Sequence, residues 1–218
     1  MTDDHAHVSR VFLLSPADCS GRRAQHLLGG TGRSALAERL RSGEGGAIGE
    51  VFTFISGLYF RGKLAYATAF AAPPEGSPGV LVIAPGLGLV TPDHAVDLEM
   101  LRGIARVPVD ADDGRYRAPL LAAARALRDS LPSETSVVLL GSIATEKYVR
   151  PLSAVLGAKL RVPRELIGLG VMSRGSLLVR CAEERRELAY VPVPGVSSPP
   201  SALGLAEAPS PAAGSPPG

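Results

Sequence analysis

A chain of 218 residues is long enough for one domain with a real core, and a hydrophobic fraction of 45% excludes a chain disordered throughout. The net charge of +2 gives no bulk electrostatic argument for nucleic acid, so only a local basic patch supplies one. The 2 cysteines, Cys19 and Cys181, are too few and too far apart for a disulfide scaffold or a zinc site, and with no Trp and 5% aromatics a stacking platform for single strands is poorly supplied.

The first residues, Met-Thr-Asp-Asp-His-Ala-His, are polar and acidic, unlike a signal peptide. No apolar run approaches the ~20 residues of a membrane helix. The expectation is a cytoplasmic protein with reduced thiols and no membrane partner. Residues 1–10 read as a mobile arm. Val11–Ser15 reads as the first strand, followed by a small polar loop, Ser15–Gly21. Ala24–Leu28 starts a helix that the glycines after it stop, and Ser34 is placed to cap a helix over Ala35–Arg41. Val51–Ile55 fits either a short strand or the first turns of a helix. A helix follows through about Ala71, with Tyr59, Lys63, Tyr66 and Phe70 on one stripe.

Val80–Asp93 opens with a β-branched apolar run, the mark of a strand buried on both faces, and breaks at Pro85, Gly86 and Gly88. Asp97 is placed to cap Leu98–Ile104. After the acidic loop Pro108–Arg115 comes a strong helix, with Pro119 expected in its first turn and Leu131 near its end. Ser136–Leu140 is the third apolar strand. Thr145 is expected to cap a helix that Gly157 ends, and Lys159–Val162 a short strand closed by Pro163. Ile167–Gly175 is glycine-rich. Ser176–Arg186 is read as a helix in preference to a hairpin arm, and Leu188–Val193 as an edge strand because of Pro192. Pro194–Gly218 is Pro, Ser, Ala and Gly, and is expected to be disordered.

Buried strands that each end in a small, polar, glycine-containing loop predict a single α/β domain over 11–193. Its mainly parallel sheet would be flanked by helices, with a ligand cleft at the carboxyl edge of the strands. The loop Ser15–Gly21 is the most reactive-looking one. Cys19 ahead of Arg22 and Arg23 reads as a nucleophile with a depressed pKa or as a small filler, and none of the 4 histidines is an obvious base for it. The same loop is also suited to an anion, held by backbone N–H groups and by Arg22 or Arg23. Gly86 and Gly88 stand either for a ligand contact or for a tight turn, without a Walker lysine or a dinucleotide fingerprint, and no cofactor is expected. Asp93-His94 reads as an acid–base pair or as surface polar residues. Asp110, Asp112 and Asp113 lack the spacing of a calcium loop, and no metal is expected. Ser142, Thr145, Lys147 and Tyr148 follow the third strand and are candidates for ligand contact or capping.

Taken in order, several of these segments resemble the YaaA-like superfamily, the peroxide-stress YaaA proteins and related small domains. Ser15-Pro16-Ala17 after a strand resembles their opening SPA. Leu58-Tyr59 with Phe60 and Tyr66-Ala67 resembles their LY…F…YA segment. Val82–Asp93 resembles their segment ending GLLxPD, with Leu98-Glu99-Met100 like the LEM that follows it. Leu140-Gly141 with Tyr148, and Pro163 before Gly168-Leu169-Gly170, resemble later features. An Arg pair follows Gly21 where the family has a Lys cluster, and no Pro-Tyr pair lies between Asp93 and Leu98. The resemblance implies an α/β fold, a cytoplasmic location and a link to nucleic acid or its damage. By position it implies a site at Ser15, Cys19, Tyr59, Gly88 and Tyr148.

The functional expectation is a nucleobase, nucleotide or DNA bound at the strand-end cleft, in DNA protection or nucleic-acid modification. Ser15 and Tyr59 would orient the ligand, and Arg22, Arg23, Arg61 and Lys63 would neutralise phosphate. The alternatives are a small-molecule enzyme with Cys19 as nucleophile and a non-catalytic accessory protein.

Overall fold

The apolar run after Ser9 forms β1 (Arg10–Leu14), whose last four residues are fully buried. It lies between two further strands of the same make, β3 (Val80–Ala84) and β6 (Ser136–Leu140). In this computed structural model, which describes residues 9–29 and 32–194, both neighbours run parallel to β1. Phe12 is in register with Val80 on one side and Val138 on the other. β7 (Leu160–Pro163) extends the parallel set beyond β6. The edges turn antiparallel: β4 (Gly88–Val90) folds back on β3, and β8 (Tyr190–Pro192) pairs with β7. The order across the sheet is β4-β3-β1-β6-β7-β8. Gly46–Ala47 (β2) and Ala95–Val96 (β5) form a separate antiparallel pair.

Alternation along the strands divides the core into two layers. Phe12, Leu14, Val82, Val138 and Leu140 face one side. They are covered there by α1 (Arg22–Leu28), α2 (Ala35–Ser42), α3 (Ile48–Ser56), α4 (Leu58–Phe70), α5 (Leu98–Ala105) and α8 (Val171–Glu183). Val11, Leu13, Ile83, Val137 and Leu139 face the other, covered by α6 (Gly114–Ser130) and α7 (Glu146–Leu156). Because both faces are covered, the central strands carry unbroken apolar runs.

The winding reverses at β1. The chain goes from β1 to β3 on one side and then crosses to β6 on the other. The loops leaving β1 and β6 therefore part from each other at the carboxyl edge. Such a reversal opens the crevice where open α/β sheets bind ligands.

Several local expectations change. Val51–Ile55 lies inside α3 and is helical. Val80–Asp93 carries a hairpin, since Gly86 at φ +84° and Gly88 at φ +90° turn the chain back into β4. α6 begins at Gly114 under an Asp113 cap, so Pro119 sits in its second turn. α8 begins at Val171, inside the glycine-rich stretch. Thr145 precedes α7 but its side chain makes no capping bond, whereas Ser34 and Asp97 cap as expected, accepting from Ala37 N and Met100 N. Of the arm 1–10, Ser9 hydrogen-bonds Thr135 and Arg10 belongs to β1. Residues 1–8 and 195–218 lie outside the described residues, and with them the expectations of a mobile arm and a disordered tail.

Candidate functional site

At the end of β1 the backbone of Ser15 continues the ladder, its N–H donating to Leu140 O. The Ser15 side chain is buried, and its Oγ accepts from Lys63 Nζ at 2.9 Å, while the same ammonium donates to the Ser15 carbonyl. Lys63 comes from α4, on the stripe it shares with Tyr59, Tyr66 and Phe70. Its Nζ lies 4.7 Å from the Tyr59 ring centroid and 4.8 Å from that of Phe60. Burial pushes its pKa down to about 7, since the low-dielectric surroundings disfavour the ammonium.

Further along the stripe Tyr66 has a structural task. Its hydroxyl accepts from Leu188 N and pairs with Tyr190 at 2.8 Å, tying α4 to β8. Tyr59 faces the carboxyl edge, and its buried hydroxyl has no hydrogen-bond partner among the described residues. Burial raises its pKa, and the guanidinium of Arg174 beside it works in the opposite direction. Arg174, on α8, is itself 6% exposed and donates through Nε to Leu166 O at 3.1 Å. Neither Lys63 nor Arg174 has a carboxylate partner among the described residues. From the other side of the sheet α7 brings Tyr148, whose pKa is raised by burial and by the nearness of Tyr59, with the Ser15 hydroxyl beside it.

Above this layer lies a cleft of about 380 Å³. Its walls are the loop Pro16–Ser20, Pro85, Ile104 and Ala105, the segment 107–109 and the start of α7 at Lys147 and Tyr148. Ile104, Val107 and Pro108 make one side apolar. Asp18 accepts from Ser20 N at 2.9 Å and from Ser20 Oγ at 2.7 Å. Those bonds and the charge of Lys147 hold its carboxyl below the ordinary range, so it is an ionised acceptor at neutral pH. Lys147 Nζ lies 5.2 Å from the Tyr148 ring centroid. A carboxylate and an ammonium thus stand at one mouth, with aliphatic walls between.

Of the residues singled out in the sequence, Ser15, Cys19, Tyr59, Lys63 and Tyr148 do converge at this edge. Their chemistry differs from expectation. The Cys19 thiol is pushed up to about 11, by burial first and by the Asp18 charge second, so its surroundings favour the thiol over the thiolate. Lys63 is 1% exposed and is held by Ser15, so it does not reach an external phosphate. Arg61 lies on a separate groove between α4 and α8, beside Val179 and Arg185. Arg22 and Arg23 are exposed on α1, and the Arg23 guanidinium packs against Gly57. Gly88 is buried where a Cβ would stand 2.7 Å from Pro119 O, which is a packing requirement of the hairpin on α6. Gly86 sits exposed at the hairpin turn, in a depression beside Leu87 and Met100. Ser142 Oγ accepts from Ala144 N and shapes its own turn.

Asp93 accepts from Thr91 Oγ1, and the buried His94 Nε2 has no partner among the described residues. In the acidic loop Asp112 pairs with Arg150, and Asp113 caps α6 and pairs with Arg115. Among the described residues no group of three or more His, Cys, Asp or Glu is placed to hold a metal ion. Arg174 was not legible as a site residue, because nothing local marks it as buried beneath the cleft. Asp18, in its loop, and Lys147, at the start of α7, were visible without a sign of which would face the cleft. Comparison of the chain with protein-family models, curated proteins and solved structures finds no match.

Proposed function

We propose that this chain binds the base of a nucleoside or nucleotide, free or within DNA, in the cleft over β1 and β6. The observation that carries the reading is the cleft itself. It sits where the winding reverses, has a volume in the range of small-ligand sites, and combines aliphatic walls with a sparse polar set. A flat heterocycle suits the walls of Ile104, Val107 and Pro108. Asp18 accepts from a ring or exocyclic N–H, and Lys147 donates to a ring nitrogen or carbonyl. Beneath them, the buried basic groups Lys63 and Arg174, without carboxylate partners among the described residues, favour an electron-rich ligand. The ordered motifs that resemble YaaA-like proteins point to the same ligand class.

Thermal shift against nucleosides, 5′-nucleotides and short DNA tests it. At a hundredfold excess over Kd the expected stabilisation is ~2.7 kcal/mol. It falls sharply in Asp18→Asn and Lys147→Ala, both of which alter exposed or half-exposed side chains. No shift with any of these ligands overturns the reading.

A further inference from the structure

A second depression opens from the first across Cys19, Ser20 and Ala105, which line both. It measures about 450 Å³, and its polar lining is Arg102, Arg106, Gln25 and Ser20, with no acidic residue among its walls. Arg102 and Arg106 stand four residues apart at the end of α5, a spacing that sets like charges side by side on one helix face and is unfavourable without a counter-charge. Only Arg102 has one, from Glu99 Oε1 at 2.5 Å, and a further bond to Leu28 O at 3.2 Å fixes its direction. Arg106 is exposed and has no ion pair among the described residues. The two depressions therefore differ in charge balance. One presents the Asp18 carboxylate and the Lys147 ammonium with aliphatic walls, and the other presents two guanidiniums and a side-chain amide.

Resting on the nucleobase reading of the first cleft, we infer that the ligand is a mononucleotide whose base lies against Asp18 and Lys147 and whose phosphate lies between Arg102 and Arg106. In the first cleft the Asp18 carboxylate and the Lys147 ammonium offset one another, so a phosphate is drawn more strongly to the second, where Arg106 has no counter-charge among the described residues. Arginine suits this task because its planar donors match phosphate oxygens in pairs. A pair of arginines in an open, shallow depression is matched to one terminal phosphate. A nucleic-acid strand would need a track of cations along its backbone.

Isothermal titration of the full chain with the common nucleosides, their 5′-monophosphates and a single-stranded dodecamer tests the inference. The expected result is a monophosphate that binds on the order of tenfold tighter than its nucleoside, from charge-assisted hydrogen bonds. That ratio falls towards one in Arg106→Ala and is unaltered in the distant Arg125→Ala. Nucleosides that bind as tightly as their monophosphates, or a preference that survives Arg106→Ala, overturn the phosphate site while the base cleft stands. A dodecamer that binds well above any monophosphate overturns the mononucleotide in favour of a strand. Failure of every nucleoside and nucleotide overturns both readings.

Discussion

Lys63 lies where a lysine is costly, fully enclosed and with no carboxylate among the described residues to offset its charge. Its folded-state pKa of about 7 stands below the ordinary value of 10.5. Between those values the unfolded chain holds a proton that the folded one has released, so stability rises with pH. From pH 7 to pH 9 the expected gain is roughly 2 kcal/mol, and below pH 7 the dependence levels off at its least stable end. The window stops at pH 9 because the raised Cys19 thiol acts in the opposite direction between 9 and about 11. Urea unfolding at the two pH values should show the rise in the natural chain and its loss in Lys63→Met, and an equal rise in both would contradict the assignment. The stripe Tyr59–Lys63–Tyr66–Phe70 was legible as one helix face. Its division of labour was not, because the partners of Lys63 and Tyr66 lie 48 and 122 residues away.

α4 and α8 pack closely because two glycines face each other at their contact. A Cβ on Gly62 would stand 2.7 Å from Gly175 O, and one on Gly175 would stand 3.0 Å from Tyr59 Cα. The obstacles are backbone atoms, so the helices must separate to admit a methyl group. Gly175→Ala should therefore lower stability by roughly 1–3 kcal/mol, as over-packing does, although alanine is the better helix former by about 1 kcal/mol. It should also weaken nucleoside binding, since the shift carries Arg174 and Tyr59 with it. Chemical denaturation beside ligand titration checks this, and a stabilised variant with unchanged binding would contradict it. At this scale the strands β1, β3 and β6 were readable as unbroken apolar runs, and β7, which Arg161 interrupts, from the Pro163 that closes it. The start of α8 was not, because Gly170 precedes it with no side-chain cap. Nor was the helical state of Val51–Ile55, whose apolar pattern fits both periods and is decided by packing against Phe60 and the sheet.

Across the whole molecule, near-neutral charge and even composition conceal a local asymmetry. Basic groups gather beneath and beside the carboxyl edge: Lys63 and Arg174 below the cleft, Lys147 at its mouth and Arg102 with Arg106 beyond it. Three glycine-containing strand ends were enough to expect a cleft at that edge, and one lies there. The residues that line it come from four separate stretches, and only the reversal of winding at β1 brings them together. No helix among the described residues is long and apolar enough to cross a membrane. The measurement that bears most directly on the central claim is amide chemical-shift mapping of the labelled full chain during a nucleoside titration. Saturable shifts are expected at residues 16–20, 104–109 and 147–148, with little change along the groove of Arg61 and Arg185. Shifts centred on that groove, or none at any concentration of any nucleoside, would contradict it.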